Sequence, residues 1–470
     1  METIDNTMNA AQLLAAINTN QGTVEGIQEI LSSDNAADLI RKLNENFEAI
    51  GQAGSGVFPE GTVLPSTIGS LDAGTDIGGM TIDDFITYGI QGRPHKFTFL
   101  HMGDPHAQTA TIANAKDLMA NDANISFLII TGDMDVALGS ALSEAMLSVG
   151  SKMLAVVGNH DLYVVGYNAY TARDKMETWV GSNVTFGNNV VQENGKKYGS
   201  YWHKDYPLGK GKLRVIGVDQ FNYPGDYGGI AGNYAQCYTQ EQFDWFVDIL
   251  ADSVKGLTCD DYFIVASHVV PFYSGKNPDA HRCRRINKFC SSRLYGGSWD
   301  IKSSDGTMFA AIVDAYTHKR KIDKTHTDLG ITTAVHEDFS NVSPAKCLGH
   351  ICGHGHSDYI GPHNQYTDQL VMMVDCAMNQ TYGNCSDIRK TDDYNQNSPR
   401  DTGILYNKVT IDVLKETIHI ERIGEKEACE HTVSSEWNGD ADDPNGYGYV
   451  YPPVTRDEIT FDFNANEVKS

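Results

Sequence analysis

Three short, almost wholly apolar runs constrain the fold of this chain more than any other feature: HKFTFLHM at 95–102, ISFLII at 125–130 and MLAVV at 153–157. Helical patterns, Thr109–Ala120 and about Ser140–Val149, separate them. Apolar strands alternating with helices of about 10–15 residues belong to βαβ units, in which a largely parallel sheet is buried on both faces. Further strands are expected at Leu213–Val218, Tyr262–Ala266, Cys347–Cys352 and Leu370–Val374. Ile404–Val413 and Thr417–Arg422, turning near Lys415, read as a closing hairpin. No internal repeat recurs at a fixed period.

Each of the first three strands ends in a polar cluster: Asp104 and His106 in GDPH, Gly132 and Asp133 in TGDMD, then Gly158, Asn159, His160 and Asp161 in GNHD. In an open α/β sheet the carboxyl ends of the strands share one edge, so consecutive βα turns gather these side chains around one crevice. Two later strands end alike, with His268 in ASHVVP and with His354 and His356 in CGHGHSD. Carboxylate, amide oxygen and imidazole nitrogen together suit hard to borderline divalent metals. These donors are too many for one tetrahedral ion, which points to a pair. Asp133 is placed to bridge it, with Asp104, His106 and His356 completing one ion and Asn159, His268 and His354 the other. Two ions about 3.5–4 Å apart can hold a phosphoryl group, lower the pKa of a bridging water towards about 7 and stabilise both attacking and leaving oxygens. His160, next to a ligand, is placed to protonate a leaving alkoxide or to stabilise charge on the phosphoryl oxygens.

The ordered set D-x-H, G-D, G-N-H-D, H and G-H-x-H across residues 104–356 resembles the calcineurin-like metallophosphoesterase superfamily. That resemblance implies an α/β fold, a four-layer α/β/β/α sandwich of two mixed β-sheets. It also implies a binuclear centre of divalent or trivalent manganese, iron or zinc, and hydrolysis of a phosphomonoester or phosphodiester by a hydroxide bridging the ions. It carries ligand roles onto Asp104, His106, Asp133, Asn159, His268, His354 and His356, and the role of catalytic histidine onto His160. Phosphoprotein phosphatases of the superfamily place an aspartate three residues after the bridging one, where it orients the catalytic histidine, followed by Arg-Gly. Here that position is Val136, with Asp135 one residue earlier and no arginine behind it, so that branch is disfavoured. Asp135 becomes the first candidate to orient His160, and Asp161 is open to a structural role. Gly132 and Met134 flank Asp133 where purple acid phosphatases carry a tyrosine ligand, so an iron-tyrosinate centre has no support. His101 and His350 lie beside the motif blocks and could support the ligands.

The formal charge of −25 is unevenly spread. Residues 1–94 carry −10 and residues 425–470 carry −8, which leaves −7 for the 330 residues between them. Acidity on this scale argues against general nucleic-acid binding, because a phosphate backbone would be repelled. Residues 275–325 reverse the sign, with 11 Lys and Arg against 5 Asp and Glu. This insertion joins two ligand-bearing strand ends and is expected to rise over the crevice as a lid. Arg282, Arg284 and Arg285 would then contact an anionic phosphoester, since guanidinium groups suit bidentate phosphate contacts. The alternative is a solvated loop that offsets an acidic surface.

The expected organisation is therefore an appendage at 1–94, a metallophosphoesterase domain at 95–424 and an acidic extension at 425–470. Within the appendage a helix is expected from about Asp34 to Ile50, where Leu39, Leu43, Phe47 and Ile50 recur at helical spacing, followed by a stretch rich in Gly, Ser and Thr. The segment DLIRKLNENFEAIG resembles N-terminal segments of some bacteriophage virion proteins, which implies virion attachment or homo-oligomerisation through residues 1–94. It also opens a second reading of the whole chain, a structural virion protein carrying a specialised or vestigial phosphoesterase-like domain. No apolar run approaches the roughly 20 residues needed to cross a bilayer, so no membrane insertion is expected. The N-terminus has neither the basic nor the apolar region of a secretory signal, so a cytoplasmic or virion-associated protein is expected. All nine cysteines follow residue 236. Disulfides between Cys283 and Cys290 or Cys376 and Cys385 remain open for an oxidising compartment, with reduced thiols the alternative.

Overall fold

The computed structural model describes residues 87–88, 93–106, 108–134, 140–162, 168–222, 238–269, 271, 307–328, 331–354, 359–363, 365–374, 404–424, 458–463 and 467–469. Asp135, His356, Arg282, Arg284 and Arg285, the helix expected at 34–50, and all four cysteines of the two candidate disulfides lie outside the described residues.

The three apolar runs form β1 (Lys96–Met102), β2 (Ile125–Thr131) and β3 (Met153–Val156), which pair in parallel. Between them run α1 (Thr109–Asn121) and α2 (Ser140–Val149), and α3 (Ala169–Val180) follows. Asn168 caps α3: its side chain accepts from the backbone of Tyr170 and Thr171 at 3.1 and 3.2 Å, while the Thr171 hydroxyl accepts from the Asn168 backbone at 2.7 Å. This reciprocal box satisfies donors that the first turn leaves orphaned.

The chain then adds β4 (Thr185–Phe186), β5 (Trp202–Leu208), β6 (Gly211–Gly217), α4 (Gln240–Ala251), β7 (Tyr262–Ala266) and α5 (Thr307–Thr317). A hairpin of β8 (Lys321–Asp328) and β9 (Ile331–Asp338) precedes β10 (Lys346–Cys352), β11 (Tyr359–Pro362) and β12 (Leu370–Met373). The last strands are β13 (Leu405–Asp412), β14 (Thr417–Gly424), β15 (Glu458–Asp462) and β16 (Glu467–Lys469).

Two seven-stranded sheets result, in the orders β16-β15-β14-β13-β1-β2-β3 and β11-β12-β10-β7-β6-β5-β4. In the second, β6, β7, β10 and β12 are parallel neighbours, while β11 and β4 run antiparallel to theirs, so both sheets are mixed. Aromatic side chains join the sheets face to face. Tyr206 of β5 lies 5.1 Å, ring centre to ring centre, from both Phe97 of β1 and Phe127 of β2. The buried indole of Trp202 donates to the Ala155 carbonyl of β3 at 2.8 Å. Helices cover the outer faces. Ile112, Ala115 and Met119 of α1 are buried beside the first sheet. Phe243 and Phe246 of α4 and Phe309, Ile312 and Tyr316 of α5 share a core with Ile216, Phe263 and Val265 of the second. This is the α/β/β/α order the resemblance implied.

A second unit takes in the residues up to Lys96 together with Pro207–Gly211 and Asp412–Lys415. Within it the Gly209 amide donates to the Pro94 carbonyl and the Val413 amide to the His95 carbonyl, both at 2.9 Å.

Two expectations about the ends of segments change. The part of the basic insertion from Thr307 onwards is not a lid: it is α5, buried in the core, followed by β8. The acidic C-terminal stretch returns to the first sheet, where β15 pairs with β14 and β16 with β15. Among the described residues, no helix is long and apolar enough to cross a membrane.

Candidate metal centre

The strand registers put the polar clusters on one edge. Met102 pairs with Ile130 and Thr131 with Val156, so β1, β2 and β3 end side by side. In the other sheet Gly217 pairs with Ala266, Ala266 with Ile351 and Cys352 with Met373, which aligns the ends of β6, β7, β10 and β12. Beyond those ends the two edges meet. Asp104, His106, Asp133, Asn159 and His268 are buried there, with His160 and His354 half-buried.

His268 ties the edges together. Its Nδ1 lies 2.7 Å from the Thr131 carbonyl, which can only accept, so Nδ1 carries the proton. In its neutral form the ring then presents a lone pair at Nε2. That atom faces Asn159 Oδ1 at 2.9 Å, His354 Nδ1 at 3.1 Å and Asp133 Oδ1 at 3.2 Å. One proton at Nε2 could serve only one of these partners, whereas a cation serves them all. A ring nitrogen donating to a backbone carbonyl while its other nitrogen faces a cluster of acceptors is how protein histidines are held for metal binding. Asn159 is turned the same way: its Oδ1 points into the cluster, and its buried Nδ2 has no hydrogen-bond partner among the described residues.

Asp133 belongs to two groupings. Ligand atoms of Asp133, His268 and His354 lie within 4.8 Å of one another, and so do those of Asp104, His106 and Asp133. Burial raises the Asp133 pKa, but the imidazoles of His268, His160 and His106 outweigh it and hold the carboxyl well below the usual carboxylate range. Asp133 is therefore a carboxylate at neutral pH. Its Oδ1 also accepts from the His160 backbone amide at 2.9 Å, and its carbonyl from the His106 amide at 3.0 Å. The His354 amide donates to both carboxylate oxygens of Asp104, at 2.8 and 3.0 Å. The rings of His160 and His106 meet edge to face at 4.9 Å.

The backbone is strained where these residues sit. Asp104, His106, Asp133 and His354 have φ of 41°, 41°, 51° and 63°, the left-handed region that non-glycine residues avoid. Among the described residues only Lys319 and Glu416 share it without being glycine. Strain of about 1–3 kcal/mol per residue persists where the surroundings over-determine it, and such residues cluster at functional sites. The cross-linking amides just described supply that determination. Glycines supply room: a Cβ on Gly132, at φ +92°, would meet the His268 ring and Gly158 Cα, and one on Gly353 would lie 2.6 Å from Asp104 Oδ2.

Residues 97–292 match the profile of the calcineurin-like phosphoesterases. Over that stretch the chain is similar to this family. His354 lies beyond the matched stretch, and the fold brings it to the cluster nonetheless. Two of the solved structures to which the chain shows a distant similarity are as follows. One is a conserved uncharacterized protein, a predicted phosphoesterase from Streptococcus pneumoniae, with 11% identity, 70% of this chain and 90% of that chain covered, and a TM-score of 0.25. The other is the sulfate thiohydrolase SoxB of Thermus thermophilus in complex with glycerol, with 10% identity, 70% and 44% coverage and a TM-score of 0.32. No curated protein matches the chain.

The remaining expected residues divide. Asp161 braces the GNHD turn, its Oδ2 accepting from the Gly158 amide at 2.8 Å. His101 reaches Thr131, its Nε2 lying 3.2 Å from Oγ1, and so touches the residue whose carbonyl fixes the His268 tautomer. His350 instead bonds Gln369 at 2.7 Å and contributes to the core. The Thr131 carbonyl escaped the sequence reading because a main-chain acceptor leaves no mark in residue identity.

Proposed function

We propose that the phosphoesterase domain holds two divalent ions, Mn, Fe or Zn, around Asp133 and hydrolyses a phosphomonoester or phosphodiester there. The convergence of Asn159 Oδ1, His354 Nδ1 and Asp133 Oδ1 on Nε2 of His268 carries this reading, because a single cation can take all four atoms as ligands. Asp104, His106 and Asp133 would hold one ion, with His356 added from outside the described residues; Asp133, Asn159, His268 and His354 would hold the other. Bound there, the ions supply Lewis acidity and lower the pKa of coordinated water.

The chain's own residues set the rest. The strained turns fix the donors in advance, so little reorganisation is needed at the moment of reaction. His160 is held through its backbone amide on Asp133 and its ring against His106, and its half-buried side chain can meet a substrate. It would protonate the leaving alkoxide, so that the ester bond from phosphorus to oxygen breaks with a neutral alcohol departing. Asp135 is the candidate to orient it, and Arg282, Arg284 and Arg285 the candidates to grip the anionic substrate from residues 275–306.

The test is metal content together with hydrolysis of p-nitrophenyl phosphate and bis-p-nitrophenyl phosphate by the full chain. Bound metal, hydrolysis of at least one ester, loss of turnover on chelation and on Asp133→Asn, and a raised KM on replacing the three arginines by alanine are the expected results. Metal-loaded protein that hydrolyses neither ester would overturn the proposal, and an unchanged KM would remove the arginines from it.

A further inference from the structure

The end of β6 carries a polar cluster of its own, Asp219, Gln220 and Asn222, which supplies none of the clustered donors. Gln220 is fully buried, and its side-chain amide grips one residue at both ends: the Val269 amide donates to Oε1 at 2.6 Å and Nε2 donates to the Val269 carbonyl at 2.9 Å. Val269 follows His268 directly.

The placement has a structural logic. On the β10 side, backbone pairing continues past the end of β7, with the Ser267 amide on Ile351 and the Gly353 amide on the His268 carbonyl, both at 3.0 Å. On the β6 side, backbone pairing reaches the bond from the Val218 amide to the Ala266 carbonyl, and two residues later the Gln220 side chain takes the place of a strand. It makes both bonds a neighbouring strand would have made, one rung beyond the sheet. Gln220 is itself anchored by the same device. Buried Gln242 of α4 accepts from the Asp219 amide at 3.2 Å and donates to the Asp219 carbonyl at 3.0 Å. Helix, turn and ligand loop are thereby linked by two neutral amides, which bring no charge to desolvate.

We infer that Gln220 is a positioning residue for the metal centre: its two-bond clamp on Val269 holds His268 so that Nε2 faces Asp133, Asn159 and His354. This rests on the proposed reading of His268 as a ligand. Without the clamp the Val269 amide loses its partner and the loop is free to relax, carrying the imidazole out of line.

Mn²⁺ affinity measured calorimetrically on the full chain, with the visible spectrum of the Co²⁺-loaded protein, tests this. Gln220→Leu removes both bonds. Gln220→Glu keeps the bond from the Val269 amide and turns the other into a repulsion between oxygens, so it serves where the leucine variant does not fold. Supporting groups of this kind typically contribute about 10–100-fold in metal affinity, and both variants are expected to lose that much and to shift the Co²⁺ spectrum. Gln240→Leu is the control, because Gln240 makes the same clamp on Ala334 of β9, at 2.8 and 2.9 Å, where no site residue lies. It is expected to bind Mn²⁺ as wild type does. Folded Gln220 variants with wild-type affinity and spectrum would overturn the inference, provided Asp133→Asn and His268→Ala lose binding in the same titration. If those two also bind as wild type, the reading of the metal centre falls, and the inference with it.

Discussion

Adding one methyl group at Gly132 should damage the site more than it damages the fold. A Cβ there would lie 2.7 Å from His268 Cγ and 2.8 Å from Gly158 Cα, where ordinary contact begins near 3.4 Å. Since backbone at Gly158 yields less readily than a side chain, the His268 ring has to retreat, by at least about 0.7 Å at Cγ and by more at Nδ1, which lies closer still. That displacement stretches the 2.7 Å bond to the Thr131 carbonyl and moves Nε2 out of its cluster. A misplacement approaching 1 Å at a reacting centre costs on the order of 10²-fold in rate, or about 2.7 kcal/mol of transition-state stabilisation. Backbone strain adds about 1–2 kcal/mol to the loss of stability, because Gly132 sits at φ +92°. Gly150→Ala separates the two effects: its φ is +68°, but nothing lies within 4 Å of the added methyl. Urea unfolding should show both variants destabilised, whereas Mn²⁺ affinity and kcat/KM on bis-p-nitrophenyl phosphate should fall only in Gly132→Ala. Equal metal affinity and activity in the two variants would refute the steric reasoning.

His160→Ala should lower kcat by about 10²–10⁴-fold while leaving bound metal unchanged, as measured by elemental analysis beside steady-state kinetics; loss of metal would mean that His160 is itself a ligand. His350 should make the fold acid-sensitive, since burial pushes its pKa down to about 4. The unfolded chain takes up a proton near pH 6.5 that the native state refuses, so stability is full above that pH and is lost as pH falls towards 4, by about 3 kcal/mol. In His350→Gln that part of the pH dependence should disappear from urea midpoints taken between pH 7 and 4; an unaltered pH dependence would refute the assignment.

What could be read from the sequence, and what could not, follows from the range of the forces involved. Strands β1, β2, β3, β7 and β10 were legible because burial on both faces leaves a continuous apolar run, and the Asp, Asn and His residues of the cluster stood out because they follow the ends of such runs. Helix α3 was not, since its buried face includes Arg173, whose guanidinium is satisfied by the carbonyls of Asn188 and Gly199 at 2.6 Å. No local pattern announces a buried arginine whose partners come from another segment. Likewise β15 and β16 sit in an acidic stretch whose net charge masks the alternation in EITFDF that places Ile459, Phe461 and Phe463 in the core. The Gln220 clamp was hidden for a third reason: a glutamine replacing a strand is defined by where the neighbouring backbone ends, which belongs to the sheet and not to the residue.

Because the clustered donors come from two different sheets, the geometry of the centre depends on the packing that sets the sheets' spacing. Trp202 is the side chain to perturb. Its indole is wholly buried, donates to the Ala155 carbonyl, and fills the space against Gly217, where a Cβ would collide with it. Ala155 stands four residues before Asn159 on β3, and Gly217 is the last residue of β6, two residues before Asp219, so the indole touches the supports of both edges. Trp202→Phe removes the bond to the Ala155 carbonyl, at a cost of about 1 kcal/mol, and opens a cavity that adds to it. If the sheets close on that space, the two sets of donors shift relative to each other, and Mn²⁺ affinity falls together with stability. If the core instead stays in place around the void, stability falls alone. A variant destabilised by several kcal/mol in urea that still binds Mn²⁺ as wild type does would show that the strained turns hold the centre by themselves, independently of the sheets beneath them.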